Sequence, residues 1–215
     1  MGKKYMERIN ELLKVDMKRK EDCQDIGFNS RPFVLCGLPY HSQDELDWER
    51  RNGDLYLRVE GSSKHGLPYG QDRIVPIFLA TKAIQQQSRE IIWDTAGEVL
   101  DLFGLSRAGS NYQRLIDRFK RIFSATIFFG NEDEEKGLVW ERFHFMDRMQ
   151  LWFKWKDFDT KTLPMKREGE DGEEIDTRNH VVLSEPFWNE LKEHPIPIDI
   201  SAVSALTDSP GALDF

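Results

Sequence analysis

The spacing of apolar residues divides this chain into amphipathic helices and short strands. Tyr5, Ile9, Leu12 and Leu13 recur at helical spacing among charged residues, so they predict a first amphipathic helix. Runs or alternations of apolar residues predict strands, and spacings of three and four predict further helices. The predicted strands span residues 33–38, 55–60, 90–93, 125–129 and 180–183. The further predicted helices span residues 72–87, 95–104 and 110–123, and Ser184 caps a last short one.

Two helix-start signals stand close together in the middle of the chain. Thr95 with Glu98, and Ser110 with Gln113, both have the S/T-x-x-E/Q spacing of a capping box. The first of these helices stops at Gly104, so the second begins after a short turn. After Ser124 the period becomes strand-like, which predicts a β-hairpin. Residues 94–155 are therefore predicted to form a helix-turn-helix followed by a hairpin, the order that a winged helix requires, within an α+β fold.

The ends of the chain and one long loop are predicted to lie outside this core. We divide the chain into an N-terminal helical extension (residues 1–30) and a winged-helix domain (residues 31–208). Residues 157–179 are rich in charge and poor in large apolar residues, so we expect a mobile loop there. Ser209 followed by Pro210 is typical of a helix start. We expect residues 209–215 to open a truncated helix that leads to a missing second domain.

One predicted helix has a basic face. Placed at about 100° per residue, residues 110–123 separate an apolar side from a polar side. The polar side, extended by one residue of the preceding turn, carries Arg107, Asn111, Arg114, Arg118 and Arg121. Arginine binds phosphate or guanine and asparagine binds adenine, so these five residues are predicted to contact DNA. An Arg-rich face that is merely solvated is the alternative.

Charge and composition restrict what such a face can do. The 215 residues carry a net charge of −8, so any DNA contact must come from a local basic patch. The acidic run at residues 132–135 would be repelled by phosphates, so we do not expect the hairpin tip to contact DNA. No stretch approaches the roughly 20 apolar residues of a membrane span, so we expect no membrane contact and a cytoplasmic location.

The residues that usually carry catalysis are scattered. The five histidines show no H-x-H or H-E-x-x-H spacing, and no P-loop is present. Cys23 and Cys36 are too far apart for a C-x-x-C pair, so we expect reduced thiols. We therefore expect no enzymatic activity, no metal and no cofactor.

Several ordered blocks of sequence resemble the RepA initiators of broad-host-range bacterial plasmids. They cover roughly residues 30–215, and their specificity comes from their order rather than from any single block. The blocks are residues 33–40 (FVLCGLPY), 50–53 (RRNG), 66–73 (GLPYGQDR), 88–91 (SREI), 103–106 (FGLS), 194–199 (HPIPID) and 209–214 (SPGALD).

This resemblance implies a plasmid replication initiator that binds repeated origin sequences called iterons, helps to open the duplex and recruits host replication proteins such as the helicase. It also implies two winged-helix domains, of which this chain would hold the first, tied to dimerisation. Two alternatives stay open: a dimerisation module with little DNA binding of its own, and a transcriptional autorepressor. We expect self-association as a homodimer, because the terminal helix and the helix at residues 3–18 leave apolar faces to cover.

Overall fold

The computed structural model describes residues 10, 13–17, 25–133, 137–152, 166–168, 174–176 and 178–213. Within them, helices and strands mix in an α+β arrangement. The strands are β1 (Ile26–Ser30), β2 (Asp47–Asn52), β3 (Leu55–Glu60), β4 (Glu90–Trp93), β5 (Thr126–Asp133), β6 (Gly137–His144), β7 (Met146–Gln150), β8 (Lys166–Glu168), β9 (Glu174–Asp176), β10 (Asn179–Leu183) and β11 (Pro195–Asp199). The α-helices are α1 (Arg31–Leu35), α2 (Ile74–Gln86), α3 (Ala96–Leu102), α4 (Gly109–Ser124), α5 (Glu185–Glu193) and α6 (Ile200–Leu206), and 3₁₀ turns cover Gly70–Arg73 and Pro210–Ala212.

The strands form antiparallel sheets whose order differs from their order in the chain. The largest sheet has the order β2-β3-β5-β6, so the predicted hairpin after Ser124 is its second half. A three-stranded sheet has the order β4-β10-β7, and two pairs, β1-β11 and β8-β9, complete the set. The inner face of the largest sheet alternates as a half-buried sheet should, with Leu57, Ile127 and Phe143 buried.

Helix α2 lies at the centre of the core. Its buried residues face almost every direction, as expected of a helix covered on all sides. The ring of Trp93 lies between those of Phe78 on α2 (centroids 5.2 Å apart) and Phe119 on α4 (6.0 Å). Each such fully buried side chain contributes about 1.5–3 kcal/mol. These contacts fix α4 against the core and so determine which of its faces meets solvent.

The predicted order of two helices and a hairpin is present. Thr95 and Glu98 form the predicted capping box at α3, and Gly104 ends that helix with a φ of +62°. At α4 the predicted capping box is wrong, because the N-cap is Ala108 and Ser110 lies inside the helix. Ser184 caps α5 as predicted, accepting a hydrogen bond from the Phe187 amide. Residues 134–136 of the acidic run lie outside the described residues.

Other sequence predictions need correction. The predicted strand at residues 33–38 is wrong. Residues 33–35 belong to helix α1, because Pro32 fixes a helical φ in the first turn, Cys36 is the C-cap, and Gly37 and Leu38 lie in neither helix nor strand. Strands β1, β2, β8, β9 and β11 and helix α6 were not predicted. The predicted N-terminal helical extension is wrong for residues 26–30, which form strand β1, pair with β11 and place Phe28 against the core. Ser209 is the N-cap residue of the 3₁₀ turn Pro210–Ala212, and its side chain makes no capping hydrogen bond. Most of the predicted first helix and of the loop at residues 157–179 lies outside the described residues, although residues 13–17 are helical and Lys166–Glu168 pairs with Glu174–Asp176.

Candidate DNA-contacting helix

The five predicted DNA-contacting residues lie on α4 and the turn before it, but they do not share one environment. Arg107 and Arg114 are exposed, Asn111 is half-buried, and Arg118 is 7% exposed. Arg121 is also largely covered, with 17% of its side chain exposed. The expectation that three arginines project together into solvent is therefore wrong for Arg118 and Arg121.

Asp72 explains why the C-terminal arginines are buried. Its carboxylate is almost fully buried and accepts two hydrogen bonds from Arg121, at 2.6 and 2.8 Å. The Arg121 guanidinium also lies 4.9 Å from the centre of the Tyr69 ring. Burial opposes the charge of Arg121, but the hydrogen bonds and charge of Asp72 outweigh it and hold the pKa of Arg121 above its ordinary value. This bidentate pair is a buried ion pair of the kind that arginine forms best.

Arg118 joins the same network from the neighbouring turn of the helix. It donates a hydrogen bond to the Gln71 side-chain oxygen, and its Nε lies 4.0 Å from Asp72 Oδ1. Burial lowers the pKa of Arg118, while the charge of Asp72 opposes that change. Arg118 and Arg121 thus hold α4 to the turn Gly70–Arg73 rather than presenting free charge.

The turn Gly70–Arg73 is itself a polar scaffold that the sequence analysis did not identify. Arg73 is buried and donates hydrogen bonds to three backbone carbonyls, those of Leu38, Pro39 and Gly70. Gln71 donates to the Thr207 carbonyl at 3.0 Å, so the turn also holds the C-terminal segment. The signal was available in the sequence, since a Gln-Asp-Arg run directly before a helix whose first seven residues are all apolar is an unusual place for solvated charge.

The N-terminal half of α4 is arranged differently. The Asn111 amide donates to the carbonyl and the hydroxyl of Ser106, both at 2.9 Å, and so closes the turn between α3 and α4. Arg114 is exposed and lies 3.4 Å from Asn111 Oδ1. Within the part of the chain that the structure describes, no carboxylate pairs with Arg114. Arg114 therefore carries unpaired positive charge on the polar face of α4.

Arg107 is exposed but already paired. Its guanidinium forms a two-pronged contact with Asp101 at the end of α3, with Nε 3.0 Å from Oδ1. The hydrogen bonds from Arg107 hold the pKa of the Asp101 carboxyl below its ordinary value. Arg107 can meet a phosphate only in competition with Asp101.

The polar face of α4 from Arg114 to Arg121 borders an open hollow. This cavity has a volume of about 470 Å³ and is lined, among others, by Tyr40, His41, Tyr69, Arg114 and Arg121. Positive and negative side chains alternate around it, because Asp117 and Asp208 also line its wall. The hollow is therefore not a strongly basic groove, and charge here is concentrated on Arg114.

Among the described residues, no group of three or more His, Cys, Asp or Glu side chains is placed to hold a metal ion. In the same residues, no helix is both long and apolar enough to cross a bilayer.

Comparison with known proteins gives a structural likeness and no sequence match. No protein-family model matches the chain, and no curated protein matches it. A crystal structure of domain 2 and domain 3 of RctB is similar, with a TM-score of 0.50 and 16% identity, over 76% of this chain and 61% of that chain. A second crystal structure of RctB domains 2-3 gives a TM-score of 0.48 and 16% identity, over 74% and 57%. This chain therefore spans about three fifths of the RctB fragment, and the likeness is one of fold.

Proposed function

We propose that this chain is part of a replication initiator that binds duplex DNA through the N-terminal half of α4 and self-associates, with no catalytic step of its own. The observation that carries the proposal is the structural likeness to domains 2 and 3 of RctB, a replication initiator of Vibrio chromosome 2. The ordered sequence blocks that resemble plasmid RepA initiators point to the same class. The first line of support rests on backbone geometry and the second on residue identity.

The arrangement of α3, α4 and the β5-β6 hairpin supports a winged-helix reading of the DNA contact. In a helix-turn-helix, the N-terminal residues of the second helix enter the major groove while the first helix crosses the backbone. In this part of α4, Arg114 is exposed and has no carboxylate partner among the described residues, Asn111 lies one turn before it, and Arg107 lies in the turn that precedes the helix. The C-terminal half of α4 would then serve the fold, not the DNA.

Electrostatics limit the strength of this contact. The chain has a net charge of −8, Arg107 is paired, and Arg118 and Arg121 are locked on Asp72. Few phosphates can be neutralised, so we expect a log-log salt slope of only about −1 to −3 for this chain. Iteron specificity, origin opening and helicase recruitment, which the RepA resemblance implies, are proposed for the longer initiator of which this chain would form part.

Fluorescence anisotropy tests the proposal. A labelled duplex carrying the cognate origin repeats and a scrambled duplex of equal length are titrated with the protein at 50, 100 and 200 mM salt. We expect binding to the origin duplex that weakens with salt, and weaker binding to the scrambled duplex. No binding to either duplex at 50 mM salt would contradict the DNA-binding role and favour the dimerisation module.

A further inference from the structure

The two edge strands of the three-stranded sheet, β4 and β7, are protected in different ways against pairing with another chain. Strand β4 is covered at its centre, because the Gln86 side-chain amide donates to the Ile92 carbonyl and accepts from the Ile92 amide, at 2.7 and 3.2 Å. Strand β7 has five residues, and a register shift at Val182–Leu183 interrupts its pairing with β10. Short strands, irregular pairing and covered edges are the usual protections of a sheet edge.

The two edges of the four-stranded sheet contrast with each other. Strand β2 is charged along most of its length, with Asp47, Glu49 and Arg51 exposed. Strand β6 has eight residues, and its first half is apolar and exposed: Leu138 is 63% exposed, Val139 65% and Trp140 38%. Strand β6 contains no proline and no lysine. Among the described residues, only β5 pairs with it. The second half of β6 carries the exposed charges of Glu141 and Arg142, so it is the apolar first half that offers a template for strand addition.

The exposed row on β6 is held in place before any partner arrives. The Trp140 ring stacks on Tyr56, with centroids 4.4 Å apart and ring planes 8° apart. Gly130 permits the close approach of the β6 backbone to β5, because a Cβ atom there would lie 1.9 Å from the Val139 carbonyl oxygen. A fixed aromatic side chain loses little conformational entropy when it is covered.

We propose that a second copy of this chain pairs antiparallel with β6, about a two-fold axis at Trp140, so that two four-stranded sheets join into one. The proposal deepens the self-association part of the proposed function and is independent of the DNA contact. A two-fold contact closes on itself and gives a dimer, whereas pairing of β6 with the charged edge β2 of another copy would give open chains.

The side chains of β6 fit this register better than they fit the two registers in which the axis is shifted by one residue. With Trp140 opposite Trp140, Leu138 faces Arg142 of the partner strand and Val139 faces Glu141, so no like charges are opposed. A shift of the axis to Glu141 would set two carboxylates directly opposite each other, which destabilises a pair. An axis at Val139 would pair only residues 137–141 of each β6 strand with the partner strand.

Sedimentation velocity over a range of micromolar concentrations tests the interface. We expect the wild-type chain to dimerise, and the Val139→Lys and Leu138→Lys variants to raise the dimer dissociation constant at least about tenfold. Ile92→Lys is the matched control, because Ile92 is an exposed apolar residue on an edge whose backbone is already hydrogen bonded. The control should dimerise like wild type, and circular dichroism should show all variants folded. A wild-type monomer, or β6 variants that dimerise normally, would overturn the proposal.

DNA binding separates this inference from the proposed function. Monomeric β6 variants should keep their affinity for a short duplex that holds one binding site, within about twofold. If the dimer forms as expected but no variant binds DNA, the DNA-binding role fails and the interface stands. If DNA binds and the wild-type chain stays monomeric, the interface fails and the DNA-binding role stands.

Cross-linking tests the register. In a Cys23→Ser background, Leu138→Cys and Arg142→Cys proteins are oxidised separately and as a mixture. Residues 138 and 142 face each other in the proposed register, with Cβ atoms about 5 Å apart. The mixture should therefore give much more disulfide-linked dimer than either protein alone. Equal cross-linking in all three samples, or efficient cross-linking of the Arg142→Cys protein alone, would contradict the register.

Discussion

The two halves of helix α4 show how one residue type takes opposite roles on one face. Arg114 is exposed and free of carboxylate partners among the described residues, whereas Arg121, two turns later, is fixed to Asp72 by two hydrogen bonds. The difference does not come from the helix itself, since both residues lie on the same polar face. It comes from the turn Gly70–Arg73, which places a buried carboxylate beside one half only. A basic stripe is thus a surface feature only where nothing buried neutralises it.

The largest effect should come from removing Asp72. Asp72→Ala would leave the largely buried guanidinium of Arg121 without its carboxylate partner, and that of Arg118 with only its hydrogen bond to Gln71. Breaking a buried ion pair typically costs about 3–5 kcal/mol. We expect the free energy of unfolding, measured by urea denaturation, to fall by that amount. Asp101→Ala, which removes an exposed partner of Arg107, is the control and should leave the urea midpoint unchanged. A normal midpoint for Asp72→Ala would mean that the C-terminal half of α4 is not structurally different from its N-terminal half.

A smaller loss of stability should follow from Arg121→Lys. Lysine keeps the charge but cannot offer two parallel N–H groups to the two Asp72 oxygens, nor stack on the Tyr69 ring as a planar group. We expect a loss of about 1–2 kcal/mol in the free energy of unfolding. Arg114→Lys is the matched substitution in the exposed half and should change stability by less than about 0.5 kcal/mol. Equal losses of stability for Arg121→Lys and Arg114→Lys would mean that the two halves of α4 do not differ in their role in the fold.

Much of the fold could be predicted from periodicity. The predicted helix at residues 110–123 is observed as Gly109–Ser124, and the predicted strand at 90–93 is Glu90–Trp93. The failures have local causes. Helix α1 has only five residues, too few to show a helical period. Helix α6 has seven residues, and its apolar positions, Ile200, Val203 and Leu206, form a stripe too short to stand out from the sequence.

The candidate site was predictable only in part, because burial depends on residues distant in the chain. Helical spacing correctly placed Arg114, Arg118 and Arg121 on one side of α4. Arg118 also lies three residues after Leu115 and four before Ile122, which set it at the border of the apolar face. What spacing could not reveal is Asp72, whose position beside α4 is fixed by the packing of α2 and the preceding turn.

The smallest predicted effect concerns Arg107, which lies in the turn before α4 and is partly neutralised by Asp101. Asp101→Asn removes the charge that holds Arg107, so Arg107 becomes available to phosphate. We expect the affinity for duplex DNA to rise by about two- to fivefold at 50 mM salt, measured by fluorescence anisotropy. Glu193→Gln on α5 removes a carboxylate far from α4 and should have no such effect. An unchanged affinity for Asp101→Asn would place Arg107 outside the DNA contact.

The most direct test of the division of α4 is the salt dependence of DNA binding by Arg114→Ala. Anisotropy titrations on the origin duplex between 50 and 200 mM salt compare it with wild type and with Lys192→Ala, which removes an exposed charge from α5. Each lost phosphate contact lowers the log-log slope by about 0.9. The account predicts a slope reduced by that amount, weaker binding at 50 mM salt and an unchanged circular dichroism spectrum for Arg114→Ala, with Lys192→Ala like wild type. A folded Arg114→Ala protein with wild-type affinity and slope would contradict it.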